Sequence, residues 1–273
     1  MAALESGRWQ ALSGETSVEI SPVPLREVRR VPFEVERSPS EAELVTVLDE
    51  RCAQLGKVPL QFLRWNPSLI DLATPRTKAR LFYVLKRFID ITGSLTLGLV
   101  LLPFLPALIW LIRHDSPGSA LYSQVRLGKS GKPFRIYKFR TMVINAEAAG
   151  AVFAIHQDPR VTTVGRFLRK TRIDEFPQLW NVLKGEMTLV GPRPERPEHI
   201  ARIEAQVPEF SLRTLVKPGI TGWAQVSRPY AVTIDELSDK LEYDLYYIKF
   251  ASLGMEMLIL FRTLKVIVGL KGQ

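Results

Sequence analysis

The longest uninterrupted apolar pattern in the chain covers residues 91–112, where 22 consecutive residues carry no formal charge. At about 1.5 Å per residue, a helix of this length is sufficient to cross the hydrocarbon core of a bilayer. Pro103 and Pro106 lie within the pattern, and each removes a helical hydrogen bond and bends the helix axis. The pattern therefore predicts a membrane-embedded helix that is broken at its prolines.

Both flanks of this apolar pattern are rich in lysine and arginine. Between Arg76 and Arg140 the only acidic residues are Asp90 and Asp115. A helix that crosses a bilayer completely carries its lysine and arginine excess on the cytoplasmic side alone. Because both flanks here favour the cytoplasmic side, we expect a re-entrant hairpin that dips into one leaflet. A complete crossing and a buried core helix of a soluble protein are the two alternatives.

Shorter patterns predict the other elements. Ser40 is a suitable N-cap for a helix over residues 41–55, and two period-two segments, 120–125 and 134–139, flank a glycine turn and predict a β-hairpin. One further helical pattern begins at Glu147, a second covers residues 166–183 and a third covers residues 241–270. The last pattern is amphipathic and fits either an interfacial helix or a core-packing helix with a solvated side.

These patterns predict an α+β fold that is mostly helical. Residues 1–80, which are interrupted by prolines, are expected to form a partly disordered N-terminal leader or accessory region. Residues 81–115 are expected to form the membrane-embedded re-entrant helix. Residues 116–273 are expected to form a catalytic domain with interfacial helices. The whole would be a monotopic membrane protein with a short β-hairpin.

Charge and composition narrow the function classes. Residues 1–75 hold 8 basic and 11 acidic residues, whereas residues 76–273 hold 29 and 17, so the basic body suits an anionic partner such as phosphate, nucleic acid or a membrane surface. The single cysteine, Cys52, excludes an internal disulfide framework, and the three histidines lack zinc-ligand spacing. The first 30 residues show no secretory signal, so we expect a cytosolic face.

The densest polar cluster covers residues 172–181 and contains the adjacent carboxylates of Asp174 and Glu175. Neighbouring side chains on a helix point about 100° apart, so one carboxylate can attack or act as a base while the other holds Mg²⁺. The nearby cations Arg169, Lys170 and Arg172 would neutralise a pyrophosphate. The alternative interpretation is an ordinary solvated helix start.

Two further segments present cations in distinctive local patterns. The sequence Gly191-Pro192-Arg193-Pro194 holds one arginine between two prolines, which fix φ on both sides of it. The sequence Tyr137-Lys138-Phe139-Arg140 alternates rings and cations, which places both cations on one face of a strand. A surface loop and an edge strand protected by charges are the alternatives.

From about Lys86 to Val268, the chain resembles the bacterial sugar transferases of the monotopic phosphoglycosyl transferase superfamily. The resemblance rests on segments that occur in order along about two-thirds of the chain. They are Lys86-Arg-Phe-Ile-Asp90, the apolar pattern with Pro103, Gln124-Val-Arg-Leu-Gly128, Lys138-Phe-Arg-Thr-Met142, Arg172-Ile-Asp-Glu-Phe-Pro-Gln-Leu-Trp-Asn-Val-Leu-Lys-Gly185, Leu189-Val-Gly-Pro-Arg-Pro194 and Lys217-Pro-Gly-Ile-Thr-Gly-Trp223.

The resemblance implies an enzyme of the EC 2.7.8 type that moves a sugar-1-phosphate from a UDP-sugar to polyprenyl (undecaprenyl) phosphate and releases UMP, initiating surface or exopolysaccharide assembly. By this resemblance Asp174 is the nucleophile and forms an aspartyl-phosphosugar intermediate, and Glu175 holds Mg²⁺. The implied substrate-binding residues are Lys138, Arg140, Arg172, Pro192, Arg193, Pro194 and Asp244. The implied location is the cytoplasmic face of the bacterial inner membrane.

The chain departs from the family pattern at two positions. Leu102 precedes the first membrane proline where serine is frequent, and Glu256 stands where aspartate is usual. Two other function classes remain as alternatives: a membrane scaffold of the same fold without activity, and a basic nucleic-acid binder. The second leaves the apolar pattern unexplained, so we expect no nucleic-acid partner. The sugar and the oligomeric state, including a homo-oligomer, are left open.

Overall fold

The structure is a computed structural model that describes residues 41–65, 80–146, 158–228 and 233–269. These residues belong to one compact unit that begins at Ser40. The helix predicted from Glu147, the end of the pattern at residue 270 and most of the predicted leader lie outside the described residues.

The described residues form a mostly helical α+β fold, as predicted. The helices are α1 (Glu41–Leu55), α2 (Leu60–Trp65), α3 (Arg80–Leu101), α4 (Leu105–Asp115), α5 (Thr163–Thr171), α6 (Gln178–Lys184), α7 (Pro197–Glu204), α8 (Trp223–Ser227), α9 (Ile234–Phe250) and α10 (Leu253–Val268). The strands are β1 (Leu121–Leu127), β2 (Pro133–Phe139), β3 (Thr188–Val190) and β4 (Gly219–Thr221). Short 3₁₀ segments cover Leu102–Phe104, Lys129–Gly131, Ile173–Glu175 and Pro208–Leu215.

Two small sheets organise the residues after α4, which the sequence predicts to form the catalytic domain and which we call the catalytic half (residues 116–269). Strands β1 and β2 form the predicted antiparallel hairpin, in register from Leu121 opposite Phe139 to Leu127 opposite Pro133. Strands β3 and β4 are parallel and were not predicted. Their ends approach so closely that a Cβ atom on Gly219 would lie 2.1 Å from the backbone nitrogen of Gly191, which is why neither position accepts a side chain.

Two helical patterns that look continuous in the sequence are each divided in the structure. The pattern over residues 166–183 becomes α5 and α6, because Arg172 adopts a left-handed conformation (φ 60°) and ends α5. The C-terminal pattern becomes α9 and α10, because Ala251 leaves the helix and the Ser252 hydroxyl accepts a hydrogen bond from the Met255 amide as the N-cap of α10.

One hydrophobic core joins the N-terminal helices to the catalytic half. Leu48, Cys52 and Leu63 of α1 and α2 are fully buried in the same cluster as Phe210 and Leu241. Polar contacts reinforce this packing. They are the ion pairs of Lys57 with Asp239 and Glu242, and the hydrogen bond from the Trp223 indole to the Gly56 carbonyl.

Helix α3 is attached to the catalytic half by three polar side chains of its first half. Lys86 donates to the carbonyl of Val190 at 2.9 Å. Arg87 donates to two carbonyls at the end of α6. The buried carboxylate of Asp90 accepts hydrogen bonds from the hydroxyl of Thr188 and the backbone amide of Leu189. The first half of α3 therefore packs as part of the catalytic half.

Helix α4 returns to the catalytic half at its C-terminal end. Leu108 and Ile112 are buried in a second cluster with Phe139 and Leu168, and the Asp115 carboxylate accepts a hydrogen bond from the Val164 amide at the start of α5. Among the described residues, the segment Arg80–Asp115 is the one long and apolar enough to cross a membrane, with a mean hydropathy of 2.4 and few buried residues.

Candidate active site

Asp174 and Glu175 occupy the 3₁₀ turn Ile173–Glu175 between α5 and α6. The left-handed backbone at Arg172 ends α5 and redirects the chain into this turn. Both carboxylate side chains are buried, with 7% of Asp174 and 6% of Glu175 exposed. A buried carboxylate is stable only when it is paired or hydrogen bonded, so its partners define the chemistry of the site.

Three cations converge on one oxygen of Glu175. Arg193 Nη2 lies 2.6 Å from Oε1, Lys138 Nζ lies 3.0 Å from it, and Arg172 Nη1 lies 3.9 Å from it. Burial raises the pKa of the Glu175 carboxyl, but the charges of Arg193 and Lys138 outweigh burial and hold its pKa well below the ordinary value. Glu175 is therefore ionised throughout the physiological pH range.

The neighbouring carboxyl of Asp174 is shifted in the opposite direction. Burial, together with the negative charge of Glu175, raises the pKa of Asp174 from 3.8 to about 6, and the charges of Lys138, Arg193 and Arg169 only partly oppose this shift. At neutral pH Asp174 is an ionised carboxylate in a desolvated setting, with cations close by. This is the condition in which a carboxylate is an effective nucleophile.

Lys138 reaches the site from strand β2. The buried side chain of Asn181, on α6, accepts a hydrogen bond from the Tyr137 amide at 3.3 Å and donates one to the Arg135 carbonyl at 2.8 Å. These two hydrogen bonds fix β2 against α6, the helix that follows the turn of Asp174 and Glu175. Burial lowers the pKa of Lys138, and the charge of Glu175 partly opposes the effect.

Arg193 reaches the site from the irregular segment between β3 and α7, residues 191–196, which we call the Arg193 segment. Its guanidinium donates to Glu175, and the flanking Pro192 and Pro194 are buried. The Pro192 carbonyl accepts a hydrogen bond from the Gly219 amide at 2.9 Å, which ties the segment to the start of β4. Proline restricts the backbone on both sides of Arg193, as the sequence predicted.

The structure brings together Asp174, Glu175, Lys138, Arg172 and Arg193, and it places the two other charged residues of the predicted set elsewhere. The Arg140 guanidinium donates to the carbonyls of Ser116 and Pro117, at the end of α4. Asp244 is buried on α9 and is paired with Arg213 at 2.7 Å. Direct contacts of Arg140 and Asp244 with substrate stay predictions.

Sequence reasoning missed the residues that surround the Arg193 segment. Four charged residues within or next to this segment contact one another: Arg126, Glu195, Arg213 and Lys240. They lie far apart along the chain, and each looks like an ordinary surface charge in its own neighbourhood. The one local signal is Glu195 itself, an acid within the basic, proline-rich sequence Arg193-Pro-Glu-Arg-Pro197.

Comparison with protein families decides the assignment: the model described as "Bacterial sugar transferase" matches residues 81–269. The chain belongs to the bacterial sugar transferase family. The matched range contains the broken apolar helix, the β-hairpin, the turn of Asp174 and Glu175 and the Arg193 segment. The resemblance predicted from the sequence motifs is thereby confirmed.

Three relatives show what this bacterial sugar transferase is similar to. A UDP-N-acetylgalactosamine-undecaprenyl-phosphate N-acetylgalactosaminephosphotransferase of Aeromonas hydrophila is 42% identical over 78% of this chain and 49% of its own length. A UDP-glucose:undecaprenyl-phosphate glucose-1-phosphate transferase of Escherichia coli is 39% identical over 66% of this chain and 39% of its own length. An exopolysaccharide production protein PSS of Rhizobium leguminosarum is 41% identical over 66% of this chain and 93% of its own length. The match thus spans half or less of the first two relatives.

The residues present are compatible with Mg²⁺ held mainly by substrate. Within the described ranges, no group of three or more histidine, cysteine or acidic side chains could hold a metal by itself. Mg²⁺ commonly uses one or two carboxylates together with substrate phosphate oxygens and water. In this sugar transferase the adjacent carboxylates of Asp174 and Glu175 meet that requirement, although one oxygen of Glu175 already serves three cations.

Proposed function

We propose that this protein transfers a sugar-1-phosphate from a UDP-sugar to polyprenyl (undecaprenyl) phosphate, and that this step initiates the assembly of a surface polysaccharide or exopolysaccharide. Family membership and the printed activities of the relatives support the reaction class. The observation that carries the proposal is the buried Asp174 carboxylate, which lies next to a second carboxylate held by three cations.

The reaction proceeds in two displacements at one phosphorus atom. In the first, a carboxylate oxygen of Asp174 attacks the sugar-bearing phosphorus, and the bond from that phosphorus to the bridging oxygen breaks. UMP leaves with the electron pair, and an aspartyl-phosphosugar forms. In the second, a phosphate oxygen of the polyprenyl phosphate attacks the same phosphorus and releases the Asp174 carboxylate. The product is a polyprenyl-diphosphate-sugar.

Each cation of the site has a role in this scheme. Lys138, Arg172 and Arg193 stabilise the negative charge of the diphosphate and of the leaving UMP. Glu175 keeps these cations in position before the donor arrives, because it contacts all three. Mg²⁺ would bind beside Glu175 and the donor diphosphate, where it supplies further charge neutralisation.

The polyprenyl acceptor requires the site to lie at a membrane surface, and the course of α3 and α4 supports a re-entrant hairpin. The first half of α3 and the last turns of α4 both contact the catalytic half. Between these attachments, the helices and the 3₁₀ turn at Pro103 expose large apolar side chains, including Leu99 at 71% and Phe104 at 63%. Exposed apolar surface of this extent is typical of a contact with a membrane or with another protein, and the lipid acceptor favours the membrane. The two ends would thus lie on the cytoplasmic side.

The proposal is tested by identifying the nucleotide that is released. Purified protein in detergent with Mg²⁺ is given UDP-glucose, UDP-galactose or a UDP-N-acetylhexosamine, with and without undecaprenyl phosphate. We expect sustained UMP release with one or more donors, and only when the lipid is present. Asp174→Asn should abolish UMP release while leaving the protein in the membrane fraction, and the exposed Asp235→Asn serves as a matched control.

Other products would contradict the proposal in different ways. Release of UDP would indicate sugar transfer without phosphate, and Asp174 would then have no nucleophilic role. Absence of any nucleotide product across the donors would favour the inactive scaffold, which is the second function considered. Substantial UMP release by Asp174→Asn would remove Asp174 from the covalent step while leaving the overall transfer intact.

A further inference from the structure

The Arg193 segment cannot hold its own conformation by local hydrogen bonding. Pro192 and Pro194 have no backbone N–H, and the segment belongs to neither a helix nor a strand. Its carbonyl groups must therefore find donors in other parts of the protein, because buried carbonyls without partners are costly. The position of the Arg193 guanidinium over Glu175 depends on those outside donors.

The four carbonyls from residue 192 to residue 195 all have such donors. Two donors are backbone amides: Gly219 donates to Pro192, and Leu127 donates to Glu195 at 3.1 Å. The other two are guanidinium groups. Arg213 Nη2 donates to the carbonyl of Arg193 itself at 2.9 Å, and Arg126 Nη1 donates to the next carbonyl along the segment at 3.2 Å.

The side chain of Arg213 is held on several sides. Its Nη2 atom lies 2.7 Å from the Asp244 carboxylate, and its Nη1 atom lies 3.3 Å from Glu195. The guanidinium carbon lies 4.8 Å from the ring centroid of the buried Phe210. Only 4% of Arg213 is exposed. The orientation of the planar Arg213 guanidinium is therefore fixed before any substrate binds.

Glu195 completes the network from within the segment itself. Its carboxylate lies 2.7 Å from Lys240 Nζ, 3.3 Å from Arg213 and 3.8 Å from Arg126. Burial raises the pKa of this carboxyl, but the charges of Lys240 and Arg213 outweigh burial and keep its pKa well below the ordinary value. Arg126 and Arg213 thus each donate to a carbonyl of the segment and also pair with the Glu195 side chain.

We propose that Arg213, oriented by Asp244 and Glu195, is a positioning residue that fixes the backbone of Arg193 and so places its guanidinium at Glu175. This inference rests on the proposed function for its effect on turnover. It also gives Asp244 a role that requires no contact with substrate. The network transmits position through the ion pair between Asp244 and Arg213 and through the hydrogen bond that Arg213 donates to the Arg193 carbonyl.

The test removes the network without leaving a buried charge unpaired. The double variant Arg213→Met/Asp244→Asn deletes both members of one ion pair, and Glu195 keeps Lys240 and Arg126. The matched control is Arg64→Met/Glu209→Gln, which deletes an exposed ion pair whose acid lies on the same 3₁₀ segment, Pro208–Leu215. The two double variants change net charge equally.

The first readout is hydrogen exchange and does not depend on activity. The amides of Leu127 and Gly219 donate into the segment, so we expect them to exchange at least tenfold faster in Arg213→Met/Asp244→Asn than in the wild type or the control. If that variant fails to fold, Arg213→Lys replaces it, because a lysine keeps the charge but presents its donors from a single nitrogen, whereas Arg213 reaches Glu195 with Nη1 and the Arg193 carbonyl with Nη2. Unchanged exchange at both amides would overturn the proposal.

The second readout is a double-mutant cycle on UMP release. We expect Arg213→Met/Asp244→Asn to lower kcat/KM for the donor by 10- to 100-fold, and to lower it less than twofold further in an Arg193→Met background. An equally large loss in that background would show that Arg213 does not act through Arg193. If the wild type releases no UMP at all, the proposed function fails, and the exchange readout alone decides the positioning role.

Discussion

Asp174 and Glu175 are adjacent and equally buried, yet their surroundings shift the pKa values of their carboxyls in opposite directions. Three cations contact Glu175, whereas burial and the charge of Glu175 dominate at Asp174. Two neighbouring carboxylates with separated pKa values can serve two purposes: one keeps the cations in place and the other reacts.

The raised pKa of Asp174 predicts the pH dependence of the first displacement. Because only the ionised carboxylate attacks, we expect the rate of UMP release in a single turnover to fall tenfold for each unit below about pH 6 and to level off above it. The measurement is a rapid-quench series from pH 5 to pH 8 with saturating donor. A rate that stays constant down to pH 4.5 would contradict the assignment of Asp174.

The same shift predicts the stability of the Asp174→Asn variant. Asp174 has its pKa raised from 3.8 to about 6 on folding, so ionisation costs the folded state about 3 kcal/mol above pH 6, and this cost vanishes below about pH 4. We therefore expect the stability of Asp174→Asn relative to the wild type to increase between pH 4 and pH 6 and then remain constant. Thermal unfolding across this range measures it. A difference that does not vary with pH would indicate an unshifted carboxyl.

The composition of the catalytic cluster was largely predictable from local sequence, whereas its supports were not. Arg193 stands out because it lies between two prolines, Lys138 because it lies in a segment that alternates rings and cations, and Arg172 because it begins the densest polar cluster. Arg213 has no such signal, since its partners come from segments that are 18 or more residues away. A pattern that depends on distant pairing is invisible to reasoning about spacing along one chain.

At the scale of elements, the break between α3 and α4 has the clearest consequence. Pro103 and Pro106 were predicted to interrupt the apolar helix, and a 3₁₀ turn, Leu102–Phe104, separates the two helices. The attachments of α3 to β3 were not predictable, because β3 is a three-residue strand with no alternating pattern of its own. The left-handed backbone of Arg172 was also not predictable, because this conformation is uncommon in residues other than glycine.

The proposed re-entrant course of α3 and α4 predicts that the residues before and after these helices lie on one side of the membrane. In a Cys52→Ala background, single cysteines replace the exposed Arg80 or Lys129, before and after the hairpin. We expect both cysteines to resist a membrane-impermeant maleimide in intact spheroplasts and to react after lysis. Labelling of one of them in intact spheroplasts would show a complete crossing.

At the scale of the whole molecule, α1 and α2 belong to the core of the enzyme. Leu48 and Leu63 are fully buried against residues of the catalytic half. The sequence predicts helix α1 correctly but assigns it to an accessory region, because the apolar face of a short helix does not reveal which surface it covers. Residues some 180 positions later hold the segment after α1, because Asp239 accepts from Lys57 and Glu242 accepts from the Leu60 amide.

This packing predicts a large loss of stability on truncating Leu63. Replacing a fully buried leucine by alanine removes transfer free energy and leaves a cavity, so we expect Leu63→Ala to lower the free energy of unfolding by about 2–5 kcal/mol. Leu55→Ala, at an exposed position at the end of α1, should change it by less than about 0.5 kcal/mol. Denaturant unfolding in detergent, followed by tryptophan fluorescence, compares the two. Equal effects would mean that α2 does not share the core.

The buried contacts of Lys86 and Asp90 with β3 bear on whether the hairpin is interchangeable. An anchor that is joined to an enzyme by a linker alone can be replaced by an unrelated transmembrane segment in a gene fusion. Here such a fusion would remove the Asp90 carboxylate, which accepts from the Thr188 hydroxyl, and would leave the Val190 carbonyl with the Tyr247 hydroxyl alone. Val190 lies two residues before Pro192, in the segment that carries Arg193. We therefore expect α3 and α4 to be inherited together with the catalytic half, and we expect deletion of these helices to leave β3 without its partners rather than to give an intact water-soluble enzyme.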